Sequence, residues 1–190
     1  MGFLLRSQLP VAATTSAILL LAVFHFATDS RAPERSGELL ARRTADVAVF
    51  LWWIASVLFA LGRRSNARWW WVCACAAYVV HVGVAFDRVH NWSHNAAFEH
   101  VESVSGFGGG IFVSYGFSLI WMLDAIWCVA FPVTHESRPC WLNCAIQGFL
   151  AFMVFNGTVV YETGWIRYAG ILAFAILAVL YVRGARRQDE

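Results

Sequence analysis

The sequence predicts an all-α fold, a polytopic membrane helix bundle with about six transmembrane helices. Of the 190 residues, 59% are hydrophobic and only 14% are charged, whereas a soluble domain normally carries about 25% charged residues. The apolar residues also form six runs, each close to the roughly 20 residues with which a helix crosses about 30 Å of hydrocarbon. We therefore interpret residues 1–190 as a single integral membrane domain.

The predicted spans are, in chain order, 9–27, 46–62, 69–87, 110–131, 141–161 and 166–183. Arg6 before the first span is also typical of a signal peptide, but the length of the apolar run favours a retained helix. The mixed charges from Thr28 to Ala45 predict an exposed loop, with a short interfacial helix from Gly37 onward. In the fifth span, Gly157 predicts a close approach to another helix.

Arginine placement predicts the orientation of these spans. The loop RRSNAR (63–68) and the tail RGARRQDE (183–190) carry closely spaced arginines, which favour the cytoplasmic side. Both termini would then lie in the cytoplasm, in a bacterial-type inner membrane. The histidine-rich segment 87–109 would lie outside, and its glycines at the C-terminal end would allow a reversal before the fourth span.

The same topology places all five cysteines toward the reducing side, which predicts free thiols rather than a disulfide framework. The CxC pattern at Cys73 and the CxxxC pattern at Cys140 could bind a soft metal. Small apolar packing residues are the favoured interpretation of all five.

Four of the six histidines fall between His81 and Glu102. If the third helix continues outward, Asp87, His90 and His94 lie within about 60° of one another on its surface. Two imidazoles at i and i+4 beside a carboxylate suit copper, iron or zinc. The predicted metal ligands are Asp87, His90, His94, Glu99 and His100, the last two joining if the chain bends near residues 91–95.

Three further polar residues lie within the predicted spans. Asp124 is near the middle of the fourth span, where a charge costs about 2.5–3.5 kcal/mol on insertion scales. It should face the interior beside a Trp N–H, a Ser hydroxyl or His81, and could orient metal ligands or pass protons. His25 and His81 could meet at similar depth, either as the two axial ligands of a haem or in a hydrogen bond between helices.

These patterns leave three function classes open, and no catalytic residue can be named. The first is a subunit of a metal-dependent oxidoreductase acting on a lipid-like or small apolar substrate. The second is a non-catalytic membrane subunit or scaffold with structural histidines, and the third is a haem-bearing electron carrier. The predicted partners are the lipid bilayer and a membrane-protein partner or oligomer, with no nucleic acid.

Overall fold

The computed structural model describes the backbone of residues 5–28 and 33–186 and the side chains of residues 11–23 and 36–184. Its helices are α1 (Leu5–Thr28), α2 (Pro33–Ala60), α3 (Arg64–Arg88), α4 (His94–Ser105), α5 (Gly110–Ala130), α6 (Pro132–Glu136), α7 (Cys140–Phe155) and α8 (Gly164–Arg186), with a π-helical turn at Asn156–Val160. Within these ranges every regular element is helical and none is a strand. The predicted all-α fold is therefore confirmed.

Five helical segments are long and apolar enough to cross a membrane: Ser36–Ala60, Arg64–Arg88, Gly110–Ala130, Cys140–Val160 and Gly164–Gly184. The described side chains of α1 form a shorter apolar stretch, Val11–Val23. These lengths and compositions indicate a multi-pass protein in a lipid bilayer.

The loop predicted between the first two spans is wrong from Pro33 onward, and the short helix predicted from Gly37 is part of one long helix. Helix α2 begins at Pro33 and continues without interruption to Ala60. Proline at the first helical position has a backbone angle suited to the helix. The sequence from Glu38 to Arg43, ELLARR, consists of strong helix formers. Charge was therefore a poor guide to the helix boundary here.

The chain divides into two compact units, Met1–Glu99 and His100–Glu190, and the single-domain interpretation stays a prediction. In the first unit α1, α2 and α3 pack on one another, with the most extensive contact between α2 and α3. Leu51 of α2 and Trp71 of α3 are fully buried. A Cβ atom added at Gly37 would lie 2.9 Å from the carbonyl oxygen of Arg88, so α2 approaches the end of α3 closely because this residue is glycine.

In the second unit α5 contacts α6 and α7, and the π-helical turn contacts α8. The close approach lies at Gly170, where an added Cβ would be 3.0 Å from Cγ2 of Val159. At Gly157 an added Cβ would meet nothing within 4 Å, so the predicted close approach at that residue is wrong. Arg167 in α8 also donates from Nε to the Val159 carbonyl at 2.7 Å, which satisfies a carbonyl of the π-helical turn.

Candidate functional sites

The first candidate site is the connection between α3 and α4, residues 89–93, which we call the first-unit turn. Asn91 and Trp92 adopt positive φ angles of 47° and 58°. Asparagine is among the few residues that take the left-handed conformation at a helix end, where glycine is usual. The Ser93 hydroxyl then accepts a hydrogen bond from the Ala96 amide at 3.2 Å, the usual cap of a new helix. The predicted outward continuation of the third helix is therefore wrong.

Because the helix ends at Arg88, Asp87, His90 and His94 do not share a helix face. One carboxylate oxygen of Asp87 lies 2.9 Å from Nε of Arg88, and the other accepts a long hydrogen bond from Trp92 at 3.4 Å. The half-buried His90 ring packs edge-on against Phe86, with ring centroids 5.7 Å apart. His94 is exposed as the first residue of α4.

The remaining predicted ligands, Glu99 and His100, follow His94 in the same short helix. At about 100° per residue, these two residues point about 140° and 120° away from His94, in opposite directions around α4. Both are exposed. Across the part of the chain with described side chains, no group of three or more His, Cys, Asp or Glu residues is placed to hold a metal ion. The metal site stays a prediction, but Asp87, His90 and His94 do not share the helix face on which that prediction was based.

His81 joins two helices of the first unit. Its Nδ1 atom lies 2.8 Å from the carbonyl oxygen of Ala41 in α2 and 3.4 Å from the Thr44 hydroxyl. A carbonyl oxygen only accepts hydrogen bonds, so Nδ1 must carry the hydrogen and donate it. Thr44 is buried and donates its own hydrogen to the carbonyls of Leu40 and Ala41. The structure thus shows a hydrogen bond from His81 to a neighbouring helix, with a partner other than the predicted His25.

His25 was predicted to face His81. Its backbone belongs to α1, three residues before the last helical residue, Thr28. Its side chain lies outside the described residues, so a haem held by His25 and His81 stays a prediction.

The second candidate site surrounds Asp124, six residues before Ala130 at the end of α5. The Asp124 side chain is only 1% exposed and forms an ion pair with the Arg138 guanidinium, which is 5% exposed. Nε2 of His135 lies 3.3 Å from the same carboxylate oxygen. The sequence predicted an interior position correctly but did not identify these two partners.

Residues 131–139, which we call the second-unit loop, bring these partners back toward α5. Helix α5 ends at Ala130 and Phe131 follows it, and Pro132 occupies the first turn of the five-residue helix α6, a position that proline favours. Trp127 of α5 fixes the returning chain, because its indole N–H donates to the Thr134 hydroxyl at 2.9 Å. The same ring packs at 90° on His135, with centroids 5.7 Å apart.

The Arg138 guanidinium contacts three different side chains. Beyond Asp124, it donates from Nη2 and Nε to the Asn143 side-chain oxygen, at 2.6 and 3.2 Å. Its Cζ atom lies 5.9 Å from the centre of the Trp127 ring, within range of a cation–π interaction. The planar fork of arginine makes such simultaneous contacts possible. Arg138 therefore ties the end of α5, the loop and the start of α7 together.

Sequence reasoning missed this cluster because no pattern in residues 131–139 places Arg138 beside Asp124. A usable signal was present, since an acidic residue within a span requires a partner and the following loop contains an arginine and a histidine. Chemically, this arrangement neutralises the buried Asp124 carboxylate and holds the second-unit loop. Removing one member of such a buried pair typically costs about 3–5 kcal/mol.

The five cysteines are all free thiols, in two different settings. Cys73, Cys75 and Cys128 are buried, as expected of small packing residues, whereas Cys140 and Cys144 are exposed. The packing interpretation is therefore wrong for these two, whose sulfur atoms lie 3.8 Å apart.

No protein-family model, curated protein or solved structure matches the chain.

Proposed function

We propose that this chain is a non-catalytic membrane subunit, a scaffold in which histidine and aspartate side chains join helices. The hydrogen bond from His81 in α3 to the Ala41 carbonyl in α2, at 2.8 Å, carries the proposal. Between membrane helices there is no general hydrophobic attraction beyond lipid, and polar contacts of this kind contribute about 0.6–2 kcal/mol each. The pairing of Asp124 with His135 and Arg138 supports the same role in the second unit.

The experiment is thermal unfolding of the purified chain in detergent, with His81→Ala compared with His94→Ala. We expect His81→Ala to lower stability by about 0.6–2 kcal/mol, because the hydrogen bond between α3 and α2 is lost, although the Ala41 carbonyl still accepts a hydrogen bond from Thr44. This corresponds to about 2–4 °C per kcal/mol for a chain of this size. His94 is exposed, so its substitution should lower the midpoint less than His81→Ala does. Equal midpoints for the two variants would contradict the structural role of His81.

A metal-dependent oxidoreductase subunit is the second candidate, supported by the backbone of the first-unit turn. Two consecutive residues other than glycine, Asn91 and Trp92, have positive φ, and such conformations cost about 1–3 kcal/mol each and cluster at functional sites. Rearrangement of this turn would be needed to bring His90 and His94 onto one copper, iron or zinc ion. Metal analysis of the purified chain, compared with that of His90→Ala/His94→Ala, tests this candidate.

The tautomer of His81 supports a haem-bearing electron carrier as a further candidate. With Nδ1–H donated to a backbone carbonyl, Nε2 of the neutral ring keeps its lone pair, the usual arrangement of a metal-ligating histidine. His25 would supply the second axial ligand. A Soret band that is lost in His81→Ala and His25→Ala would support this candidate over the scaffold, and a protein without a Soret band would exclude it.

We also propose that both termini and the 63–68 loop face the cytoplasm of a bacterial-type inner membrane. Support comes from Arg63, which lies between two membrane-spanning helices, and from Arg64 and Arg68 in the first two turns of the second of them. Reporter fusions after Ala67 and after Ser105 should therefore report opposite sides of the membrane. The same side at both positions would contradict this orientation.

A further inference from the structure

The first turn of α7 carries two thiols on one face. Helix α7 begins at Cys140, directly after Pro139, and Cys144 follows one turn later. Residues at i and i+4 are neighbours on a helix surface. Their sulfur atoms lie 3.8 Å apart and both residues are exposed. Asn143, between them in sequence, is fixed by its two hydrogen bonds from Arg138.

We propose that Cys140 and Cys144 form a binding site for one soft monovalent cation, Cu(I) or Ag(I), held between two thiolates. Thiolate ligands select soft metals such as Cu(I). Two metal–sulfur bonds of about 2.3 Å, the length found for zinc, place the sulfur atoms about 4.6 Å apart in a linear arrangement. The thiols would separate by less than about 1 Å, which side-chain rotation within the helix can supply.

The binding step involves no change of oxidation state. Each thiol loses its proton to solvent, two sulfur–metal bonds form, and the monovalent cation becomes a complex with one negative charge. Metal binding to cysteine generally releases protons in this way, because the thiolate is the ligand.

The geometry disfavours the two other uses of a close thiol pair. A disulfide requires Cβ atoms about 3.8 Å apart, whereas Cβ atoms at i and i+4 in a helix are about 5–6 Å apart. Oxidation would therefore distort the first turn of α7. A structural zinc ion takes four ligands, and the residues with described side chains form no group of three or more candidate ligands. Two-coordinate cations match the two sulfur atoms that are present.

The test is copper loading of the full chain in detergent, without oxygen, from a Cu(I)–bicinchoninate complex followed by desalting. Wild type should retain about one copper that Cys140→Ser and Cys144→Ser lose, a loss of at least tenfold in occupancy. Cys128→Ser is the matched control, since Cys128 is buried elsewhere in the same unit, and it should retain the copper. Retention by Cys144→Ser, loss in Cys128→Ser, or no retained copper in wild type would overturn the site.

A second measurement does not depend on the folding of the variants. In copper-loaded wild type, maleimide labelling followed by peptide mass spectrometry should show protection at Cys140 and Cys144 together. X-ray absorption at the copper edge should show two sulfur neighbours. Unprotected thiols, or nitrogen neighbours in place of sulfur, would overturn the proposal, whatever the outcome for the scaffold function.

Discussion

The first-unit turn and the second-unit loop are both short connections that contain one histidine and follow a helix with an aspartate, yet the two aspartates differ in burial and in partners. Asp87, beside the turn, is 53% exposed and pairs with its neighbour Arg88. Asp124, which the loop covers, is 1% exposed and pairs with Arg138, fourteen residues away in sequence. Burial and distant partners, rather than the number of histidines, therefore mark the connection that organises the fold.

The largest effect is expected from breaking the ion pair of the second-unit loop. Arg138→Met should lower the free energy of unfolding by about 3–5 kcal/mol, because it leaves the Asp124 carboxylate buried without its cation. Arg88→Met is the matched control, since a surface pair contributes only about 0–1 kcal/mol. Denaturant unfolding in detergent measures both.

Combining Arg138→Met with Asp124→Leu sharpens this prediction. Replacing a buried ion pair by apolar residues is often neutral, so the double variant should recover most of the stability that Arg138→Met loses. If the double variant is no more stable than Arg138→Met, the stability lost in Arg138→Met does not come from leaving the Asp124 charge unpaired.

A smaller effect is expected where α2 approaches the end of α3, beside the first-unit turn. Gly37→Ala would place its Cβ 2.9 Å from the Arg88 carbonyl oxygen, and overpacking of this kind costs about 1–3 kcal/mol. Gly148→Ala in α7 meets nothing within 4 Å and should gain up to about 1 kcal/mol from helix propensity. Unfolding midpoints that shift in the same direction for both would contradict the close approach.

The smallest effect is expected from the cap that starts α4. Ser93→Ala should cost about 1 kcal/mol through the lost hydrogen bond to the Ala96 amide. Hydrogen exchange at Ala96 should accelerate as this helix end frays. Ser103→Ala is a suitable control because its hydroxyl only donates to the His100 carbonyl. Unchanged exchange at Ala96 would show that another group caps α4.

The sequence predicted the membrane-spanning helices well because apolar length is a property of contiguous residues. The predicted start of the fourth span at 110 coincides with Gly110, and the predicted fifth span at 141 begins one residue after Cys140. The start of α2 was missed because Glu34 and Arg35 were taken as loop residues and the helix predicted from Gly37 was taken as separate from the second span. In a helix such residues can pair locally, as Arg43 and Asp46 do at 3.2 Å.

The candidate sites were predicted less well, for two physical reasons. The metal site assumed a continuous helix, although Asn91 and Ser93 are a helix-ending and a helix-starting residue that the sequence shows directly. The partners of Asp124 depend on how residues 131–139 fold back, and no periodic pattern encodes that return. The bond from His81 to Ala41 involves a backbone carbonyl, which every residue has, so its partner could not be identified from side chains.

The central claim of the proposed scaffold function is that His81 and His135 join helices, whereas His90 and His94 do not hold a catalytic metal. Its most direct test is the iron, copper and zinc content of the detergent-purified chain, measured by mass spectrometry for wild type and for His90→Ala/His94→Ala. The scaffold account predicts the same metal content in both proteins, because His90 packs on Phe86 and His94 is exposed. A stoichiometric metal in wild type that the double variant loses would contradict it.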